Sequence, residues 1–140
     1  MSVEDNKNLV RRFFDEVVNN RNYDLLDELV APDFTLHSAI MGEIHGGEAY
    51  KQGTLALLNT CPDFRTTVED LLSGESDTVI ARLTHRGTDT GGFVKGHPAS
   101  GKPFEFTAIY IWRLANGKLV GLWQEADRIR LMHQLGLFTR

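Results

Sequence analysis

The order of hydrophobic periodicities along the chain predicts an α+β protein, with three N-terminal helices packed on one face of a curved antiparallel sheet. Up to residue 60, most apolar side chains recur at helical spacing, whereas beyond residue 63 most alternate with a period of two. A run of helices followed by a run of strands is typical of this class. The length of 140 residues fits one domain, residues 1–140.

The first helix is predicted over residues 3–19. Its apolar side chains follow an i, i+1, i+4, i+5 pattern, which places them on one stripe of a helix. Ser2 and Asp5 resemble a capping box, so we expect the helix to begin near residue 3. The polar residues 19–22 should end it.

Two shorter helices are predicted before the sheet begins. The first spans residues 23–30 and should end at Ala31, because a proline disfavours the helical conformation of the residue before it. Residues 34–40 then alternate as a short extended segment. The next helix spans residues 48–60 and is weakened by Gly53.

The second half of the chain predicts an antiparallel meander. The dipeptide Asn116-Gly117 is typical of a two-residue hairpin turn. Residues 88–102 form a glycine-rich loop, with a short extended piece around Phe93, and residues 128–135 form a terminal helical turn or two. The four predicted strands span residues 64–72, 78–87, 103–113 and 118–127.

Composition and charge exclude several classes of partner. Lys and Arg number 15 and Asp and Glu 19, so the formal charge is −4 and the basic residues are scattered. We therefore expect no nucleic-acid partner. The longest apolar run, residues 108–112, is far shorter than the roughly 20 residues of a membrane span. The polar N-terminus does not resemble a signal peptide, so we expect a cytoplasmic protein with no membrane partner.

Known catalytic and cofactor-binding motifs are missing from the sequence. The single cysteine, Cys61, permits no internal disulfide, and no two histidines stand at a metal-binding spacing. The P-loop, GxSxG, GxGxxG and HExxH patterns are all absent. Metal, nucleotide and acyl-serine chemistry are therefore disfavoured.

Alternation along the last two strands predicts which face lines a cavity. The even-numbered residues of 103–113 are aromatic and uncharged, so we expect them to face the helices. Pairing through the hairpin turn brings Tyr110 and Gln124 together. Tyr110 could donate a hydrogen bond to a substrate oxygen or be a core tyrosine, and Gln124 could bind substrate or pair with a buried polar neighbour. The predicted substrate-binding residues are Phe14, Phe106, Trp112 and Leu122.

Three further side chains carry groups that could move a proton. Asp127 ends the last strand and could accept a proton from a carbon acid, although its spacing favours a cap on the following helix. His37 lies in the short extended segment and could act as an acid, a base or a donor near neutral pH. His85 lies on an apolar strand face, where we expect a buried structural histidine.

Four segments of this sequence resemble the SnoaL-like polyketide cyclases in order and spacing, over about residues 6–136. They are NKNLVRRFFDEVVNNRNYDLLDELVAPDF, PDFRTTVEDLLSGESDTVIARLTHRGTDTG, GKPFEFTAIYIWRLANGKLVGLW and the closing HQLG. The resemblance implies a cone-shaped α+β barrel, shared with ketosteroid isomerase and nuclear transport factor 2. It also implies a deep pocket for a hydrophobic small molecule, no cofactor, and a homodimer formed through the sheet.

The best-known members of that family close rings of aromatic polyketide methyl esters by aldol condensation. In them an aspartate on the last strand acts as acid and base, beside a histidine on the preceding strand. Aligning the NGK turn and the closing QLG places the aspartate on Gln124 and the histidine on Tyr110. An amide cannot abstract a proton, and a tyrosine with a pKa near 10 is a weak base at neutral pH. The aldol chemistry of the family is therefore not expected at these two positions.

Three functional hypotheses follow from the sequence. The favoured one is a small enzyme acting on an apolar carbonyl or polyketide-like compound, because this fold class hosts many enzymes. Here Tyr110 would hold the oxygen, and Asp127 or His37 would move the proton. The second is a binding module for a hydrophobic small molecule. The third is an accessory subunit that works through the outer sheet face, which carries Ile109, Ile111 and Trp123.

Overall fold

The computed structural model describes residues 2–38 and 41–137 and has the α+β architecture expected from the sequence. The helices are α1 (Val3–Arg12), a π-helical segment (Phe13–Asn19), α2 (Leu25–Leu29), α3 (Gly47–Asn59) and α4 (Arg128–Gln134). The strands are β1 (Val30–Ser38), β2 (Gly42–His45), β3 (Arg65–Ser73), β4 (Thr78–Thr88), β5 (Pro103–Ala115) and β6 (Lys118–Ala126). In the part of the chain so described, no helix is long and apolar enough to cross a membrane.

The six strands form one mixed sheet in the order β2-β1-β6-β5-β4-β3, which is not closed into a ring. The prediction of a purely antiparallel sheet is wrong at one pair, because β1 runs parallel to β6. Helix α3 and strands β3–β5 separate β1 from β6 along the chain, so no hairpin turn fixes the relative direction of these two strands. β1 covers the side of β6 that the β5–β6 hairpin leaves unpaired. The last two residues of the predicted segment 34–40 lie outside the described residues.

The first helix begins where the sequence predicted but changes type at Phe13. Ser2 and Asp5 form the reciprocal capping box, with the Asp5 N–H donating to Ser2 Oγ over 3.0 Å. From Phe13 onward the turns widen to a π-helix. The wider turns let two consecutive pairs of apolar residues face the sheet together. All four are buried, namely Phe13, Phe14, Val17 and Val18.

The core lies between these helices and the inner face of the sheet. Trp112 is fully buried at its centre, with its ring centroid 4.9 Å from Phe13 and 6.3 Å from Phe34. The predicted alternation on β5 is confirmed, because Phe104, Phe106 and Ala108 are buried while Ile109 and Ile111 are exposed. The turn at Asn116-Gly117 is also confirmed, since both residues have the positive φ angles of a primed hairpin turn.

One buried carboxylate organises the long loop between β4 and β5. Asp89 is 1% exposed and accepts hydrogen bonds from the backbone N–H groups of Gly92, Phe93 and Ser100. Burial alone would raise the pKa of Asp89, but these hydrogen bonds outweigh it and hold the pKa below its usual value. The loop has no strand at Phe93, contrary to the expectation of a short extended piece. Phe93 instead stacks on Phe104 at a centroid distance of 4.7 Å and closes this end of the core.

Replacing Asp89 with asparagine should therefore destabilise the whole protein. An amide cannot accept all three hydrogen bonds and loses the charge that strengthens them, so we expect the Asp89→Asn variant to lose about 2–3 kcal/mol of unfolding free energy. Asp70→Asn is the matched control, because Asp70 forms an exposed ion pair with Arg82, whose loss should cost less than about 1 kcal/mol. Urea denaturation measures both. Equal stabilities for the two variants would contradict the role assigned to Asp89.

Candidate active site

A small apolar cavity lies between the π-helical segment, α3 and the inner face of the sheet. Its apolar wall includes Phe13, Phe14 and Phe64, and its volume is about 50 Å³. That space holds one or two water molecules and is well below the roughly 300 Å³ of a small drug-sized site. A ligand of polyketide size can enter only when the walls move apart. The polar residues at the cavity are Tyr50, Thr54, Thr66, His85, Tyr110 and Gln124.

A larger depression lies on the surface near the start of β5. It measures about 620 Å³ and is lined by charged residues that include Arg86, Lys102 and Glu105. Arg86 and Glu105 already bind one another there, with 2.7 Å between Nε and Oε1. This groove is open to water and offers no shielded polar group, so the inner cavity is the better candidate for chemistry.

The inner cavity is crossed by a chain of three hydrogen-bonded side chains. Thr66 Oγ1 lies 2.8 Å from His85 Nδ1, and Tyr110 Oη lies 3.2 Å from His85 Nε2. The sheet creates the first contact, because Thr66 on β3 and His85 on β4 are direct cross-strand neighbours. Tyr110 reaches the same imidazole from β5, two pleats along the same face.

The three titratable groups at the cavity are uncharged at neutral pH. His85 is 3% exposed, and this burial lowers its pKa to about 3, so the imidazole is neutral at pH 7. Burial raises the pKa of both Tyr50 and Tyr110 well above their usual value. None of the described lining residues is Asp, Glu, Lys or Arg. The cavity is therefore suited to a neutral group that accepts or donates hydrogen bonds.

Tyr110 and Gln124 lie side by side at this cavity. They are cross-strand partners on β5 and β6, and both contribute to the lining. Gln124 is half-buried, and among residues 2–38 and 41–137 none forms a hydrogen bond with its amide. An unpaired amide beside a tyrosine hydroxyl offers a ligand two polar contacts in a mainly apolar site.

Two of the four predicted catalytic residues lie away from the cavity. His37 faces the outer side of the sheet, where it contacts Glu43 and stacks on Trp123 with a centroid distance of 4.7 Å. The side-chain period of two is the reason, since the neighbouring Leu36 takes the inner face. Asp127 is exposed and accepts the backbone N–H of Arg130 over 3.0 Å at the start of α4. The capping interpretation of Asp127 is therefore correct.

Of the four residues predicted to bind substrate, the structure places one at the cavity. Phe14 lines the cavity. Trp112, Phe106 and Leu122 are buried on the inner face but lie outside the lining. Phe13 and Phe34 pack against Trp112, and Phe106 packs against the His85 ring at 5.2 Å. These three side chains belong to the packed core that supports the site.

Sequence reasoning missed Thr66 and Tyr50 and assigned His85 only to the core. His85 is buried as expected, but it also borders the cavity and holds Tyr110. The polar side chain of His85 among apolar neighbours on β4 was the available signal. Its partner Thr66 depends on the register between β3 and β4, which the sequence alone does not supply.

The inner face of the six-stranded sheet and the helices packed on it enclose a small apolar cavity with a few polar side chains. The sequence profile of the SnoaL-like polyketide cyclases matches residues 8–135. The chain belongs to this family.

Solved structures agree with this assignment over nearly the whole chain. TsrD from Streptomyces laurentii is 25% identical, with 99% of each chain covered and a TM-score of 0.85. IdmH, a candidate polyketide cyclase from Streptomyces antibioticus, is 26% identical, with 94% of this chain and 98% of that chain covered and a TM-score of 0.78. A SnoaL-like protein from Jannaschia sp. CCS1 shares the fold at 21% identity, with 97% and 94% covered and a TM-score of 0.86. No curated protein matches the sequence significantly.

The neutral state of His85 gives a testable dependence of stability on pH. The unfolded chain protonates this side chain below about pH 6.5, whereas the folded protein does so only near a pKa of about 3. The unfolded state binds more protons in this window, so the unfolding free energy should fall as the pH falls from about 6.5 towards 3. The wild type should take up about one more proton on unfolding than His85→Gln does, so the unfolding free energy of the variant should depend less steeply on pH. His97→Gln, at an exposed loop position, is the control.

Urea denaturation at several pH values between 4 and 7 measures this difference. The slope, rather than the absolute stability, is the quantity to compare, because the substitution at a buried site also lowers stability at every pH. Identical slopes for the wild type and the His85 variant would contradict a neutral, buried histidine.

Proposed function

We propose that this protein is a small-molecule enzyme that binds an apolar, polyketide-like carbonyl compound in the inner cavity and polarises its carbonyl oxygen through Tyr110. The observation that carries the proposal is the hydrogen bond between Tyr110 and the buried, neutral His85, next to Gln124, whose amide has no hydrogen-bond partner among the described residues. Membership of the SnoaL-like family and the cyclase descriptions of its structural neighbours support the substrate class.

Tyr110 is well placed for electrostatic catalysis. A hydrogen-bond donor that is fixed in advance and shielded from water stabilises developing negative charge on an oxygen more strongly than water does. Enolisation and ring closure of a carbonyl compound both build such charge. Gln124 is the neighbouring polar group and can fix the orientation of a second oxygen on the same substrate.

The proposed chemistry differs from acid–base catalysis by an aspartate. Gln124 occupies the position that the resemblance assigns to that aspartate, and the described lining residues include no carboxylate. His85 has a basic nitrogen at the cavity, but a pKa of about 3 makes it a weak base. The site would therefore contribute to catalysis by polarising the carbonyl group, rather than by abstracting a proton with a charged group.

The second candidate function is a binding module that holds a hydrophobic small molecule without converting it. The specific observation in its favour is the same lack of a charged residue in the described lining. The two functions share the cavity and differ only in turnover, so a binding measurement alone does not separate them.

We also propose that the outer face of the sheet pairs with a second copy of the chain, as the family resemblance implies. Ile109, Ile111 and Trp123 support this, because they are 48%, 36% and 42% exposed on β5 and β6. The inner cavity lies on the opposite face of the sheet, so dimerisation through the outer surface would not cover its lining residues.

The Tyr110 hydroxyl should be detectable in the infrared spectrum of a bound ketone. Acetophenone labelled with ¹³C at its carbonyl is a suitable small, neutral probe. A hydrogen bond from Tyr110 lowers the carbonyl stretching frequency, so Tyr110→Phe should raise it and weaken binding roughly three- to tenfold. Tyr23→Phe is the control, because Tyr23 packs against the core outside the cavity lining. An unchanged frequency in Tyr110→Phe, or no binding by the wild type, would overturn the proposal.

Exchange of the acetophenone methyl protons in D₂O separates the enzyme from the binding module. Stabilising the enolate oxygen should accelerate transfer of these protons to water or buffer base, which is followed by NMR, and Tyr110→Phe should slow exchange by about tenfold or more. Binding without accelerated exchange would favour the binding module. Acceleration that persists unchanged in Tyr110→Phe would show that another group carries the chemistry.

A further inference from the structure

The hydrogen-bond chain at the cavity has a direction, and that direction decides what Tyr110 can offer a ligand. We infer that Thr66 is a positioning residue: its hydroxyl donates to His85 Nδ1 and so holds His85 in the tautomer that carries its proton on Nε2. His85 then donates to the oxygen of Tyr110, and the proton of Tyr110 remains available to the ligand. The inference rests on the proposed function only in taking Tyr110 as the group that meets the ligand.

Counting donors and acceptors favours this direction over its reverse. In the reverse arrangement Tyr110 donates to His85 Nε2, and Nδ1–H donates to Thr66. The Thr66 hydroxyl proton then has no acceptor, because His85 is the only hydrogen-bond partner of Thr66 Oγ1 in residues 2–38 and 41–137. Thr66 is 4% exposed, so bulk solvent has almost no access to its hydroxyl, whereas Tyr110 is only half-buried.

In the inferred direction the unmatched donor is instead the hydroxyl of Tyr110. This group faces the cavity, where a water molecule, the Gln124 carbonyl or a ligand oxygen can accept its proton. Binding a carbonyl group therefore completes the chain. In the reverse direction Tyr110 has no proton to give, and the site would select a hydrogen-bond donor rather than a carbonyl.

Thr66 is itself held from the other side by Asn19, the last residue of the π-helical segment. The Asn19 side chain donates to the Thr66 carbonyl over 2.9 Å and accepts the Thr66 N–H over 2.8 Å. These two bonds satisfy backbone groups on an edge strand and fix the strand against the helix. The Thr66 backbone is thereby held in the position from which its hydroxyl reaches His85.

The imidazole is restrained as well. Phe64 stacks on the His85 ring with a centroid distance of 5.2 Å and an interplanar angle of 29°, and Phe106 packs against it at the same distance. A ring held by two aromatic neighbours cannot rotate freely to exchange its nitrogens. Only the position of the ring proton then remains open, and Thr66 contacts Nδ1, one of the two nitrogens that can carry it.

Nitrogen-15 NMR of His85 tests the inference without any ligand, because a protonated and an unprotonated ring nitrogen have distinct chemical shifts. In the wild type we expect the proton on Nε2 and a bare Nδ1. Thr66→Val removes the donor with almost no change of shape, so the Nδ1-protonated form should become populated. Thr66→Ser keeps a hydroxyl and should restore the wild-type spectrum.

Thr84→Val is the matched control, because Thr84 is a similarly buried threonine on the adjoining strand whose hydroxyl donates to Glu69 instead. A wild-type His85 protonated on Nδ1 would overturn the inference, and this result needs no variant to fold. A Thr66→Val spectrum identical to the wild type would also overturn it.

Acetophenone binding then distinguishes failure of this inference from failure of the proposed function. If both hold, Thr66→Val should bind the ketone at least threefold more weakly than Thr84→Val. If the tautomer is as inferred but Tyr110→Phe binds the ketone as well as the wild type does, the proposed function fails while the role of Thr66 stands.

Discussion

Burial of one imidazole is the constraint on which the candidate site depends. A histidine that is 3% exposed must remain neutral and must find hydrogen bonds for its ring nitrogens inside the protein. Thr66 and Tyr110 meet this need from the strands on either side, and both become fixed as a result. The geometry of Tyr110 at the cavity is thus a consequence of how His85 is accommodated.

The uncharged character of the cavity is consistent across its residues. A carboxylate at position 124, beside Tyr110, would lie close to His85 and would favour its protonated form. The glutamine found there exerts no such attraction, so it is compatible with a neutral His85. In this member of the SnoaL-like family the polar groups at the cavity form a site of neutral donors and acceptors, in contrast to an ion pair or a charged base.

Most of the fold could be predicted from the sequence, because the spacing of apolar residues indicates which face of a helix or strand is buried. The capping box at Ser2, the inner face of β5 and the hairpin turn at Asn116 all follow from local patterns, and all are present. The π-helix and the parallel pairing of β1 with β6 depend on packing between distant segments, which leaves no local signature. The inner or outer orientation of His37 likewise depends on which residue of β1 meets the core.

The pairing of Thr66 with His85 shows most clearly why the site could not be predicted in full. Counting outward from the β3–β4 turn, where Ser73 pairs with Val79, places Thr67 opposite His85. A register shift between Val68 and Asp70 moves the pairing by one residue and brings Thr66 opposite His85 instead. One extra residue in a strand reverses which side chains face the cavity, and nothing in the sequence marks its position.

The role proposed for Tyr110 requires that a neutral His85 directs the Tyr110 hydroxyl proton into the cavity. A neutron crystal structure of the deuterated protein at neutral pH tests it most directly, because deuterium atoms on side chains become visible. We expect one deuterium on the two ring nitrogens of His85, bound to Nε2, with the Thr66 hydroxyl deuterium directed at Nδ1 and the Tyr110 hydroxyl deuterium directed into the cavity. A His85 ring that carries deuterium on both nitrogens, or on Nδ1 alone, would contradict it.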